Sequence, residues 1–304
     1  MRLCRFEYQN AIQVGFYEED TVTPLTSIDE TLTGGDSVLS FLPHGEFGDQ
    51  TQAAAGKIAS GTAVSIGDVK LLVPIPKPSK LMLLAGNYSK HIEEGGGKAE
   101  ERAKTFPYVF MKPPLTTLTN PNDPIQIPAV SPDYVDWELE LGVVIGRECK
   151  GVSEADALNY VAGYTVINDI SDRKFKPNPN RTTREKDSFF DWLHGKWHDT
   201  FCPMGPCVAS ATDIADPQNL KLDLRVNGET EQDANTSEMV FPVAAIVEFI
   251  SSYVTLSPGD VISTGTPDGV GFPKGKFLKA GDVVEAEIAG IGVLRNPVNG
   301  PESA

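Results

Sequence analysis

The segment Trp137-Glu138-Leu139-Glu140-Leu141-Gly142-Val143-Val144-Ile145-Gly146 places two carboxylates two residues apart in a run otherwise suited to a buried strand. Side chains alternate along a strand, so Glu138 and Glu140 share one face while Trp137, Leu139 and Leu141 take the other. Like charges side by side on an apolar strand repel each other and lose solvation, which calls for something positive between them. With oxygen ligands only, a hard divalent cation fits: Mg²⁺, or Mn²⁺ or Ca²⁺. A half-exposed strand that carries Glu twice on its polar face is the competing reading. Asp169 ends another apolar run, Thr165-Val166-Ile167-Asn168. If the two strands are neighbours, three carboxylates converge, and about three positions of an octahedral ion stay open for a water and a chelating keto acid. The plainer role for Asp169 is to cap a turn.

His91 has Glu94 three positions on, and on a helical turn the two share a face, so the carboxylate can orient the imidazole and raise its basicity. An exposed pair on a surface helix would have the same spacing. His194 and His198 lie four apart with Cys202 and Cys207 behind them, but Gly195 and Pro203 break a helix and no C-x-x-C pair is present, which argues against zinc. Lys196, between Gly195 and Trp197, is placed to be partly desolvated and to stabilise an enolate. Thr264-Gly265-Thr266-Pro267-Asp268-Gly269-Val270-Gly271 is a glycine-rich turn whose N–H groups and hydroxyls suit a carboxylate. It lacks the G-K-[ST] of a P-loop, and no helix is expected after it.

The elements that must position these groups are mostly strands. Residues 1–73 read as a small β-rich unit, with Leu3 to Tyr8 and Ile12 to Tyr17 paired across a polar turn and Val69 to Val73 as a third strand. Residues 74–79, with Pro74-Ile75-Pro76-Lys77-Pro78, form a stiff linker, and 80–304 form the larger domain. There Leu81 to Ala85 and Tyr108 to Met111 are short apolar strands. Between them Ser89 to Lys104, rich in Glu, Lys and Gly, suits either a hinged lid or a mobile loop. Ser153 starts a helix expected to stop at Gly163, after which Tyr164 to Ile170 forms a strand. A second helix starts at Pro242 with Val243, Ile246, Val247 and Ile250 as its core stripe. Short strands fill Asp260 to Val298. The expected class is α+β, mainly β.

A chain of 304 residues affords a sizeable core, and its net charge of −16 excludes nucleic acid and anionic membrane as partners. The first residues lack the apolar core of a signal peptide, and no uncharged apolar run is long enough for a bilayer. Four scattered cysteines suit reduced thiols, so a cytoplasmic location is expected.

Six blocks, in order, resemble the fumarylacetoacetate hydrolase family over about residues 80 to 300: Gly86-Asn87-Tyr88-x-x-His91-x-x-Glu94; Glu138 to Gly146; Gly163-Tyr164-Thr165-Val166-x-Asn168-Asp169-x-Ser171-x-Arg173; Gly195-Lys196 to Pro206; Pro258 to Pro267; and Gly290 to Asn296. The resemblance implies a mixed β-roll that dimerises and holds Mg²⁺ or a similar ion on Glu138, Glu140 and Asp169. It implies that His91 activates water with the help of Glu94, a lid carboxylate, and that Arg173 and Lys196 are catalytic cations. Tyr88 and Thr266 match residues that meet the substrate. The family pattern departs after Asp169: Asp172 replaces an Ala and Lys176 a Gln, and residues 174–192 are unusually charged. Lys176 suits a second substrate carboxylate. The expected reaction is hydrolysis of a C–C bond in a β-diketo acid of acylpyruvate or fumarylpyruvate type. The alternatives are isomerisation or decarboxylation of unsaturated 2-oxo or 2-hydroxy dioates, or decarboxylation of oxaloacetate. The expected partners are a small keto acid and a second copy of the chain.

Overall fold

The structure is a computed structural model and describes residues 1–98 and 102–301. It is sheet-dominated with few helices, as the sequence leads one to expect. A twelve-stranded sheet runs, in spatial order, through Val64–Ser65, Thr21–Pro24, Ala11–Tyr17, Arg2–Tyr8, Cys202–Ser210, Val161–Asn168, Leu139–Ile145, Val261–Ser263, Leu81–Ala85 and Tyr108–Met111, with Lys70–Leu72 and Leu118–Thr119 off this path. Neighbours along the path are antiparallel except Val261–Ser263 beside Leu81–Ala85. A five-stranded sheet, from Glu229–Asn235 through Lys221–Val226, Val283–Ile288 and Gly292–Asn299 to Ile125–Gln126, completes the roll.

The strand Leu139–Ile145 is buried at every position, which is the condition of a strand covered on both faces. Leu139, Leu141, Val143 and Ile145 pack in one core with Leu222, Leu224 and Ala286 of the five-stranded sheet and with the helix Val243–Tyr253. Val144 faces a second core with Ile167, Leu83 and Val208. Glu138 and Glu140 have the parity of Val144, so they belong to that second face, at the strand's N-terminal end. The helix stripe Val243, Ile246, Val247 and Ile250 is core, as read from its period.

The N-terminal hairpin forms as expected, Arg2–Tyr8 against Ala11–Tyr17, turning through Gln9 and Asn10 at positive φ. Arg2 and Leu3 also pair with Ala209 and Val208, so residues 1–73 continue the sheet that carries the carboxylates.

Two boundaries differ from expectation. The helix capped by Ser153 covers only Glu154–Ala157 and tightens into a 3₁₀ turn at Leu158–Tyr160, and the following strand is Val161–Asn168 rather than Tyr164 to Ile170. Gly163 is a strand residue here: a Cβ on it would stand 2.4 Å from the Ala209 carbonyl of the next strand, so the glycine permits close backbone approach instead of ending a helix. A four-residue helix, Gly271–Lys274, does follow the Thr264–Gly271 turn.

Candidate active site

Strand register assembles the carboxylates. Leu139 pairs with Asn168, the Glu138 N–H donates to Asn168 Oδ1 at 2.9 Å, and the Asp169 N–H donates to the Glu138 carbonyl at 2.8 Å. Asp169 is therefore locked beside Glu138, and one ligating oxygen from each of Glu138, Glu140 and Asp169 lies within 4.8 Å of the others. All three are buried.

Buried cations answer part of this charge. Lys196 Nζ lies 2.6 Å from both Glu138 Oε2 and Asp169 Oδ2. Gly195 makes that reach available, since a Cβ there would meet the Asp172 carbonyl at 2.4 Å, and the Asp172 N–H donates to the Gly195 carbonyl. Arg173 donates from Nη1 to Glu138 Oε1 at 2.7 Å and from Nε to Asp136 Oδ2 at 2.8 Å. Lys112 Nζ lies 2.5 Å from Asp169 Oδ1 and also donates to the Ile170 and Phe201 carbonyls.

Burial pushes the Glu138 carboxyl up, but Lys196 and Arg173 outweigh it and hold the group well below the usual carboxylate range. Glu140 is the opposite case. Burial, with the charges of Asp169 and Glu138, drives its carboxyl well above that range. Its Oε2 accepts from the Gly265 N–H at 2.9 Å, and its buried Oε1 has no partner. An orphaned carboxylate oxygen within reach of two others is what a divalent cation satisfies, so these residues fit Mg²⁺ or Mn²⁺.

His91 and Glu94 come from the helix Ser89–Glu94, with His91 Nδ1 2.9 Å from Glu94 Oε1. Glu94 Oε2 accepts from the Gly269 N–H at 3.0 Å, tying this helix to the glycine-rich turn. Burial raises the Glu94 carboxyl, but the bonds from His91 and Gly269 more than offset this and leave it lowered. An ionised Glu94 only accepts, so Nδ1 carries a proton toward it and Nε2 is the ring nitrogen turned away from the pair. His91, Glu138, Glu140, Arg173, Lys196 and Thr266 wall one cavity of about 190 Å³, which Trp192 closes on one side. An outer hollow shares Gly86, His91, Arg173 and Trp192 with it and adds Glu94 and Phe272.

The family model described as fumarylacetoacetate (FAA) hydrolase C-terminal matches residues 80–299, and one described as Rv2993c-like, N-terminal matches residues 1–74. The chain belongs to the fumarylacetoacetate hydrolase family. Relatives within this family differ in the reaction named for them. The chain is 38% identical to an oxaloacetate tautomerase of Xenopus laevis, covering 98% of this chain and 90% of the relative. It is 36% identical to a 2,4-didehydro-3-deoxy-L-rhamnonate hydrolase of a Sphingomonas species, covering 98% and 96%. A maleylpyruvate hydrolase from a Sphingobium species, solved with manganese(II) and pyruvate, superposes with a TM-score of 0.77 at 27% identity over 99% of this chain and 100% of that one.

Two expected members of the family site stand elsewhere. Tyr88 is 1% exposed and packs in the core, its backbone bridged to Met239. Its hydroxyl has no partner, and burial and the Glu140 charge push its pKa up. It is not among the residues that wall the cavity. Lys176 is exposed and outside the cavity wall, because the chain turns outward after Ser171–Asp172, with Lys174 over the Tyr134 ring and Pro177 following. The expected lid, Ser89 to Lys104, is a helix followed by Gly95-Gly96-Gly97, and residues 99–101 of it lie outside the described residues. His198 packs edge-on against Phe175 and Phe201, and among the described residues Glu138, Glu140 and Asp169 are the one cluster of metal-ligand spacing.

Three residues escaped the sequence reading. Lys112 closes an apolar run before Pro113 and looks like a surface stop. Asp136 precedes the Glu pair and accepts from Arg173 and from the Trp137, Gly271 and Phe272 N–H groups. Gln232 lies in another sheet. Its hairpin, Lys221–Val226 with Glu229–Asn235, is signalled by Asn227-Gly228, but nothing local marks its long reach.

Proposed function

We propose that the protein is a divalent-metal-dependent hydrolase that cleaves a C–C bond in a 2,4-diketo acid of the acylpyruvate class. One observation carries the reading: an imidazole oriented by a carboxylate through its Nδ1 shares a cavity of about 190 Å³ with a carboxylate cluster that fits a cation. Mg²⁺ or Mn²⁺ held by Glu138, Glu140 and Asp169 would supply Lewis acidity to a 2-oxo acid substrate. His91 Nε2 takes a proton from water as the water oxygen bonds to the C4 carbonyl carbon. The C3–C4 bond then breaks, and its electron pair forms the enolate of the 2-oxo acid. The Lys196 ammonium and the Arg173 guanidinium stabilise that negative charge. His91 returns the proton to C3, leaving a 2-oxo acid and a carboxylic acid, which gives up its proton to solvent. Thr266 holds the substrate's C1 carboxylate.

The kinship to an oxaloacetate tautomerase favours a second reading, in which His91 moves a proton between carbon and oxygen of a 2-oxo dioate and no water attacks. Incubation of the Mg²⁺-supplemented protein with acylpyruvates, oxaloacetate and hydroxymuconate-type dioates, with products identified by mass, decides between them. Two carboxylate fragments support hydrolysis. A shifted double bond, a changed keto–enol ratio or released carbon dioxide sinks it.

The assembly we propose is a homodimer: the edge strand Tyr108–Met111 leaves Tyr108 65% and Met111 42% exposed. Four free, buried cysteines suit a reducing compartment such as the cytoplasm, and no helix among the described residues is long and apolar enough to cross a membrane.

A further inference from the structure

Gln232 belongs to the five-stranded sheet yet reaches the site from behind, with 0% of it exposed. Its Oε1 accepts from the Leu139 N–H at 2.9 Å, on the strand that carries Glu140. Its Nε2 donates to the Pro267 carbonyl at 2.9 Å and to Thr266 Oγ1 at 2.8 Å. The amide cannot be turned round, because a backbone N–H only donates and a backbone carbonyl only accepts. The group that faces Thr266 is therefore an NH₂. A hydroxyl that accepts on one side has its own proton to give elsewhere, and among the described residues no oxygen accepts it. Thr266 is part of the cavity wall, together with Arg173, whose buried Nη2 also has no partner.

We propose that Gln232 is a positioning residue that fixes Thr266 as a hydrogen-bond donor into the cavity, so that the site selects ligands ending in a carboxylate over their neutral amides. A hydroxyl free to rotate would accept or donate with equal ease and would serve an amide N–H as well. The inference rests on the keto-acid reading of the cavity and is independent of which bond the enzyme changes.

Titration calorimetry of the Mg²⁺-loaded protein with pyruvate and with pyruvamide tests this. The wild type binds pyruvate more tightly. Gln232→Glu places a carboxylate oxygen against Thr266, captures its proton and weakens pyruvate about tenfold or more, with a smaller loss for pyruvamide. Thr266→Val weakens pyruvate by a similar factor, and combining it with Gln232→Glu adds little, since both act through one hydroxyl. Equal losses for the two ligands, or losses that multiply in the double variant, would mean that Gln232 matters only for packing and would overturn the proposal. Should Gln232→Glu not fold, Gln232→Met decides: it frees the Thr266 hydroxyl to rotate, so a reduced preference for pyruvate over pyruvamide supports the proposal and an unchanged one overturns it. Absence of acylpyruvate hydrolysis with this binding pattern intact removes the reaction assigned above and leaves the role of Gln232 standing. A wild type that binds neither ligand removes the keto-acid reading and this inference with it.

Discussion

Lys112 Nζ lies 2.5 Å from Asp169 Oδ1, with the two side chains 0% and 1% exposed. The ammonium also serves the Ile170 and Phe201 carbonyls. One oxygen of Asp169 is thereby neutralised from behind, and Oδ2 is turned toward Lys196 and the other carboxylates. Breaking a buried pair costs about 3–5 kcal/mol when it strands a charge, and because Asp169 Oδ2 keeps Lys196 the loss here lies at the low end, about 3 kcal/mol. Lys112→Met should lose stability of that order in urea unfolding of the metal-free protein. A loss within the scatter of surface variants would mean that Asp169 does not depend on this pair.

Glu140 behaves oppositely, because its carboxylate is repelled by Glu138 and Asp169 and its Oε1 has no partner. Glu140→Gln should leave the metal-free protein as stable as the parent or more so. It should also abolish the stabilisation that Mg²⁺ or Mn²⁺ gives the parent, which linkage puts at about 2.7 kcal/mol when the ion is at 100 times its Kd. Thermal melts with and without ion after chelator treatment read both quantities. A destabilised metal-free variant that still responds to the ion would contradict the placement of Glu140.

His91→Ala removes the proposed general base but leaves the carboxylates and Lys196 in place. The expected loss in kcat is on the order of 10² to 10⁴, with KM nearly unchanged. Parent-like turnover of an acylpyruvate by this variant would remove the water-activation step.

Glu94 links stability to pH. Burial raises its carboxyl, but the bonds from His91 and the Gly269 N–H prevail, so the folded value lies below the ordinary 4.5. A depressed carboxyl stabilises fully above its unfolded value and loses that contribution as pH falls through its folded value. The difference in Tm between the parent and Glu94→Gln should therefore be constant well above 4.5 and shrink as pH falls below it. A difference that grows on acidification would reverse the assignment of donor and acceptor.

Lys176 is exposed and apart from the cavity wall. Lys176→Gln should leave the ratio of kcat/KM between mono- and dicarboxylate substrates unchanged within about twofold, a spread below 0.5 kcal/mol and typical of surface changes. A fall specific to dicarboxylates would restore the role that its sequence position suggests.

What could be read from the chain alone was whatever depends on near neighbours. Period-2 alternation put Glu138 and Glu140 on one face, and a spacing of three put Glu94 beside His91. Glycine between apolar runs marked the turn that carries Thr266. These relations are fixed by backbone geometry over a few residues and survive any tertiary arrangement. Register was beyond the sequence. That Leu139 pairs with Asn168, which brings Asp169 to Glu138, is settled by how two sheets and their cores close around each other. The same holds for Lys112, 57 residues before Asp169 in the chain, and for Gln232, which crosses from another sheet. It also decided that Tyr88 turns into the core and Lys176 out to solvent. A charge or an amide shows its purpose only in the company of the partners that burial forces upon it, and that company is assembled by packing over the whole chain.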